Sequence, residues 1–150
     1  MLKIGSKAPE FALNDQNKKI AKLSSFKGKK VLLSFRPLAW TPVCHDQMQS
    51  LEEYRKRFEE LNTVPFGIGV DSSASNKAWA KSMKISKTRL LADFWPHGEV
   101  AKAYGVFREK DGFSERANII IDENQKIVFA KIYPMDDLPD IEEIIKFLSK

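Results

Sequence analysis

An apolar run, Val31-Leu32-Leu33-Ser34-Phe35, ends before Pro37 and leads into Thr41-Pro42-Val43-Cys44, where the signals of a helix start appear. A buried strand feeding an amphipathic helix through a short loop is a β/α unit, and it commits the chain to layered packing of helices on a sheet. Thr41 is the expected N-cap and Pro42 the first helical residue. Cys44, the only cysteine, is then the third helical residue. There it lies beside unpaired backbone N–H groups and the positive end of the helix dipole. Both favour the thiolate, which is the nucleophilic form of sulfur. The helix continues with Met48, Leu51, Tyr54, Phe58 and Leu61 on one stripe with Cys44. Glu52, Glu53, Lys56, Arg57, Glu59 and Glu60 take the opposite face, with Glu52→Lys56 and Glu53→Arg57 in the favourable i,i+4 order. Cys44 should therefore face inward. That placement suits a reactive thiol and a small buried hydrophobe alike.

The rest of the chain alternates in the same manner. Val64 to Val70 reads as a second strand, followed by Asp71-Ser72-Ser73 as the cap of a helix around Asn76 to Lys84. Leu90 to Ala92 is a short third strand, and Glu99 to Tyr104 a short helix stopped by Gly105. Ala117 to Ile121 and Ile127 to Ile132 flank the polar turn 122–126 as a hairpin. Ile141, Ile144, Ile145 and Leu148 mark a closing amphipathic helix. The expected fold class is α/β, a central mixed sheet flanked by helices. With 150 residues and neither linker nor repeat, residues 1–150 read as one domain.

Charge and cysteine count narrow the functions. A hydrophobic content of 43% and a charged content of 30% are those of an ordinary globular protein. No apolar stretch reaches the length of a membrane span, and with Met1-Leu2-Lys3-Ile4 running directly into the domain no signal peptide is expected. A lone cysteine forms no internal disulfide, which fits a reducing cytoplasm. The net charge of +5 is spread along the chain, with Lys18, Lys19, Lys22, Lys27, Lys29 and Lys30 read as a solvated loop. No nucleic-acid motif accompanies them, so neither nucleic acid nor membrane is an expected partner. The two histidines and one cysteine have no zinc spacing, and no phosphate-binding glycine signature is present, so no cofactor or metal is expected. His45 adjoins Cys44 on the helix, and adjacent helical side chains diverge, so the two make a poor dyad. His97 reads as part of a helix start.

Pro37-Leu38-Ala39-Trp40-Thr41-Pro42-Val43-Cys44 matches P-x-x-x-T-x-x-C, the active-site signature of the peroxiredoxins. Gly5-Ser6-Lys7-Ala8-Pro9-Glu10-Phe11 resembles that family's usual opening segment. Asp71 with Trp79, then Leu90-Leu91-Ala92-Asp93-Phe94, then Tyr104-Gly105-Val106, are similar to later landmarks in the same order. Arg116, opening the run 116–122, stands where the family carries a second active-site arginine. The resemblance extends from about Gly5 to Tyr133 and implies a thioredoxin-like fold.

It also implies roles for particular residues. Cys44 is the expected nucleophile, passing to sulfenic acid as it reduces a peroxide. The Thr41 hydroxyl caps the helix and bridges thiolate and peroxide, while the N–H groups of Val43 and Cys44 hold the peroxide oxygens. Arg116, a surface residue if judged only as an arginine entering a strand, becomes an electrostatic partner of the sulfur and of the transition state. Pro37 limits solvent access to the loop. Gln47 occupies a position where related proteins carry Glu or Gln to hold the arginine. Trp40 stands where phenylalanine is usual, bordering the substrate opening, a subunit contact or simply the core.

Gln49 and the segment after Tyr133 contain no second cysteine, so the sulfenic acid must be reduced by an external thiol. That resembles the short one-cysteine peroxiredoxins of the alkyl hydroperoxide reductase E and bacterioferritin-comigratory types. The expected activity is reduction of hydrogen peroxide and organic hydroperoxides. Thioredoxin, glutaredoxin or a low-molecular-weight thiol would be the reductant, and the resemblance implies a homodimer. The alternative is a sensor that passes its oxidation to a partner protein.

Overall fold

Every side chain from Val31 to Phe35 is buried, because the strand they form has a hydrophobic layer on each of its faces. The computed structural model describes residues 1–150. In chain order the elements are β1 (Ala12–Asn14), β2 (Ile20–Lys22), a 3₁₀ turn (Leu23–Phe26), β3 (Lys30–Phe35), α1 (Pro42–Glu53) and α2 (Arg55–Glu60). Then follow β4 (Thr63–Gly69), α3 (Ser73–Ser82), β5 (Arg89–Ala92), α4 (Glu99–Ala103), β6 (Phe107–Arg108), β7 (Phe113–Ser114), β8 (Arg116–Ile121), β9 (Ile127–Tyr133) and α5 (Ile141–Leu148). The central sheet has five strands in the order β5-β4-β3-β8-β9. Its pairs β3·β4 and β4·β5 are parallel and its pairs β3·β8 and β8·β9 antiparallel, the expected mixed sheet.

Alternation along the strands sorts two cores. Val31, Leu33 and Phe35 of β3 join Ala117, Ile119 and Ile121 of β8 on one face, beneath Val100, Ala101 and Tyr104. Leu32 and Ile120 point the other way, toward Met48 and Leu51 of α1, Trp79 of α3 and Ile144 of α5. Cys44 belongs to this second layer. The approach of α1 to the sheet is close enough that a Cβ at Gly67 would collide with Met48 Sδ and Leu90.

Some local expectations change. The helix expected to run through Leu61 bends at Tyr54, which separates α1 from α2 with φ −94° and ψ 12°. The first helix after β4 begins at Ser73, because the Ser72 hydroxyl caps it by accepting from the Ser75 N–H. The lysine-rich region 18–30 holds β2, paired antiparallel with β1, and the 3₁₀ turn, built on buried Ala21 and Leu23. Three-residue strands are too short for a period-two pattern to register.

Glu52 departs most from its expected solvent-facing, Lys56-paired position. It is 8% exposed, and its carboxylate accepts the N–H groups of Ser86 (2.9 Å), Lys87 (3.2 Å) and Thr88 (2.8 Å) and the hydroxyl of Thr88 (2.9 Å). The end of α1 is thereby tied to the loop before β5. Burial alone would push the carboxyl up, but the Ser86, Thr88 and Lys87 donors outweigh it and hold it at about 2, below the ordinary 4.5. A carboxyl depressed in the folded state stabilises above its unfolded value, and that contribution is lost as pH falls from about 4.5 toward about 2. Glu52→Gln should lower stability at neutral pH by about 1–3 kcal/mol. It should also flatten the acid limb of the stability curve, as read by denaturant unfolding across that window. An unchanged acid limb would show that Glu52 is not its source.

Candidate active site

The site forms where β3 ends and α1 begins. Thr41 takes the N-cap position with φ −110° and ψ 151°, and Pro42 opens the helix. The expected side-chain cap is absent, since the Thr41 hydroxyl donates to the Leu38 carbonyl at 2.9 Å. Its proton is engaged by the loop, and its oxygen retains lone pairs to accept another donor. The first backbone bond of the helix is His45 N–H to Thr41 O (2.8 Å), so the N–H groups of Val43 and Cys44 have no protein acceptor. Cys44 is 1% exposed. Pro37, at the start of the loop that leads to the helix, is buried, and that loop is pinned by Ala39 N–H donating to Asp71 Oδ2 at 2.8 Å.

From the sheet side comes Arg116, the first residue of β8. It shares its sheet face with Ile120 and hence with the Cys44 layer. It is 4% exposed, not a surface cation. Its Nη1 donates to Cys44 Sγ at 3.2 Å and to Gln47 Oε1 at 2.8 Å, and its Nε donates to the Met135 carbonyl at 3.0 Å. No carboxylate lies within ion-pair distance of this guanidinium. A buried cation with only neutral oxygens around it is costly, so the one group that can neutralise it is the sulfur as thiolate. Gln47 completes the clamp by donating from Nε2 to Ser34 Oγ (2.7 Å) and Phe35 O (3.1 Å). A glutamate there would face the Phe35 carbonyl with no proton to offer and would supply a carboxylate competing with the thiolate.

Trp40 is not part of the core. It is 56% exposed, with its backbone in the left-handed region at φ 69° and its Nε1 donating to Ser75 Oγ at 3.2 Å. The two histidines stay apart from the sulfur: His45 meets Asp46, and His97 meets the Gly112 carbonyl.

One charged residue of the site escaped sequence reading. Arg36, between the strand and Pro37, is fully buried. Its Nη1 donates to Asp71 Oδ2 (2.8 Å) and its Nη2 to Asn76 Oδ1 (2.7 Å), and it lies 4.8 Å over the Trp79 ring. Burial pushes its guanidinium down from the ordinary arginine value, and the Asp71 charge and the neighbouring Cys44 work against that. Because Asp71 also holds the Ala39 N–H, the Arg36–Asp71 pair fixes the loop that covers Cys44. A usable signal was Gly69, where any Cβ would collide with the Arg36 guanidinium.

A single buried cysteine, a guanidinium on its sulfur and free N–H donors at the same helix start form an arrangement suited to thiol chemistry, on the mixed sheet of an α/β fold. The sequence profile described as the AhpC/TSA family matches residues 4–130. Alkyl hydroperoxide reductase E of Mycobacterium tuberculosis is 37% identical over 141 residues, covering 93% of this chain and 92% of that one. Peroxiredoxin 2 of Thermoplasma acidophilum is 34% identical over 151 residues, covering 97% and 74%. Among solved structures, Enterococcus faecalis AhpC superposes with a TM-score of 0.91 at 26% identity, covering 99% of this chain and 92% of that one. The chain belongs to the AhpC/TSA family of peroxiredoxins, thiol peroxidases with the thioredoxin-like fold.

Proposed function

We propose that Cys44 is the peroxidatic nucleophile of a one-cysteine peroxiredoxin that reduces hydrogen peroxide and organic hydroperoxides. The observation that carries this is the 3.2 Å contact from a buried, carboxylate-free Arg116 to the sulfur. In this reading the thiolate attacks the terminal peroxide oxygen. An S–O bond forms as the O–O bond breaks, sulfur gives up two electrons, and an alkoxide or hydroxide leaves to take a proton from water. The peroxide O–H donates to Thr41 Oγ1, and the Val43 and Cys44 N–H groups and Arg116 receive the negative charge as it moves onto oxygen. Pro37 and the loop that Asp71 pins keep bulk water from the sulfur. Trp40 borders the opening, and Gln47 holds the arginine rather than touching substrate.

The sulfenic acid then condenses with an external thiol, losing water, and a second thiol frees Cys44 and leaves as disulfide. Thioredoxin, glutaredoxin and a low-molecular-weight thiol all fit that chemistry, in a reducing cytoplasm. No helix is long and apolar enough to cross a membrane. The relay reading rested on the missing second cysteine and gains no residue from the geometry. We assign a homodimer to the end of the sheet where β3 and β5 finish, beside the Cys44 loop, where Leu38, Trp40, Phe94 and Trp95 are exposed. Sedimentation showing a monomer at micromolar concentration would remove that assignment.

The test of the function is the rate at which fully reduced protein reacts with hydrogen peroxide at neutral pH. Tryptophan fluorescence follows the reaction, and intact mass checks for one added oxygen. The expected rate is orders of magnitude above that of a free thiol. A rate equal to a free thiol would show the site to be idle.

A further inference from the structure

At the opposite end of the sheet from Cys44 lies a cleft of about 550 Å³ that the peroxidase chemistry does not use. It exists because β5 is shorter than β4. β5 begins at Arg89 opposite Phe66, so Thr63, Val64 and Pro65 have no strand on that side and form the floor of a notch. The start of α2 and the loop before β5 wall it. Five cationic side chains line the notch: Lys29, Arg55, Lys56, Lys87 and Arg89. Glu59 is the one carboxylate among the lining residues, which leaves a surplus of four positive charges in a chain whose whole formal net charge is +5. The charge looked dispersed in the sequence, but folding concentrates most of the surplus at one concave place.

Two buried carboxylates lie behind the lining, Glu52 on the N–H groups of Lys87 and Thr88 and Asp15 on Arg89, yet four of the five cationic side chains have no ion-pair partner. Arg89 is paired, its Nε donating to Asp15 Oδ2 at 2.7 Å, but Lys29, Arg55, Lys56 and Lys87 form no ion pair. Cations scattered over a convex face avoid one another, whereas those facing one cleft repel until an anion lies between them. The lining also limits what that anion can be. Val64 and Pro65 are its only apolar side chains, and no aromatic ring offers a stacking surface for a base. Pro65 brings no N–H, so the open flank of β4 is poorly suited to pairing with a peptide strand. What remains is multivalent charge, with arginine forks and lysine point charges matched to phosphate oxygens.

We propose that this cleft binds a small molecule carrying two or three linked phosphate groups. The site is separate from the peroxide site. β3 runs from Lys30, at the cleft, to Phe35, at the Cys44 loop, a length of about 20 Å. Anion binding should therefore stabilise the fold by bridging α2 and the 86–88 loop, without competing with peroxide.

The test is calorimetric titration of the full chain with inorganic tripolyphosphate at low ionic strength, with thermal unfolding followed in parallel. Binding and a raised melting temperature are expected, both weakened by added salt. Lys56→Ala with Lys87→Ala should weaken binding about 25-fold, at roughly fivefold per lysine. Those changes leave the backbone donors to Glu52 in place and should not alter the peroxide rate. Lys18→Ala with Lys22→Ala removes equal charge elsewhere and should change neither readout. Absence of binding, or equal losses in the two double variants, would overturn the proposal. So would a single-stranded oligonucleotide that binds through the same lysines more tightly per phosphate than tripolyphosphate, because the cleft would then belong to nucleic acid.

Discussion

Cys44→Ser should abolish peroxide turnover, a fall of more than about 10³-fold to the background of reductant and peroxide alone. Serine fits the space, and its hydroxyl can accept from Arg116 Nη1 as the sulfur does at 3.2 Å. What it lacks is an accessible anionic form, since an alcohol does not ionise at neutral pH even beside a guanidinium. The same loss should appear in stability. In the parent protein the sulfur is the one group in contact with Arg116 that can carry a negative charge, so the serine variant leaves a buried cation among neutral oxygens. Peroxide consumption with a dithiol reductant measures the first effect, and denaturant unfolding the second. Residual turnover at the parent rate would take the chemistry away from Cys44.

The β/α order was legible because the central strand is a run whose two faces are both apolar and its neighbours are largely apolar, and such runs declare themselves without tertiary knowledge. Val31–Phe35, Ala117–Ile121 and the α5 stripe Ile144, Ile145 and Leu148 all fall where their patterns put them. Cys44, Thr41 and Arg116 could be singled out because helix-start chemistry and motif spacing are local properties of a sequence. Partners are not. Nothing near Glu52 in sequence shows that three consecutive N–H groups, Ser86 to Thr88, will converge on its carboxylate, so helical periodicity assigned it to water. Arg36 was hidden for a related reason. A charge at the end of an apolar strand reads as the strand's exit, and its counter-charge, Asp71, lies beyond two helices and a strand. Tyr54 carries an apolar side chain in perfect register with the α1 stripe, yet it is the residue where the helix bends. The basic cleft is the extreme case, since its cations come from separate stretches that only the sheet's uneven strand lengths bring together.

Arg116→Met should lower the peroxide rate about 10²- to 10³-fold while leaving the sheet intact. Methionine retains much of the side chain's apolar volume and loses every polar contact: the sulfur at 3.2 Å, Gln47 Oε1 at 2.8 Å and the Met135 carbonyl at 3.0 Å. Two effects combine in the rate. Without the guanidinium the sulfur loses its one cationic hydrogen-bond partner. The developing oxyanion also loses a donor. Thiolate ultraviolet absorbance separates the two, because it reads the sulfur alone and is blind to the donor lost by the oxyanion. Arg116→Lys distinguishes charge from geometry, because an ammonium restores the counter-charge but cannot reach sulfur, amide and carbonyl together. Its rate should fall between those of the parent and the methionine variant, with the thiolate signal largely restored. Gln47 remains anchored in both variants through Nε2 to Ser34 and Phe35, so the α1–β3 junction keeps its shape and a lost rate cannot be assigned to a collapsed loop. An undiminished rate in Arg116→Met at neutral pH would remove the arginine from the mechanism, and the burial of an unpaired guanidinium would then need another explanation.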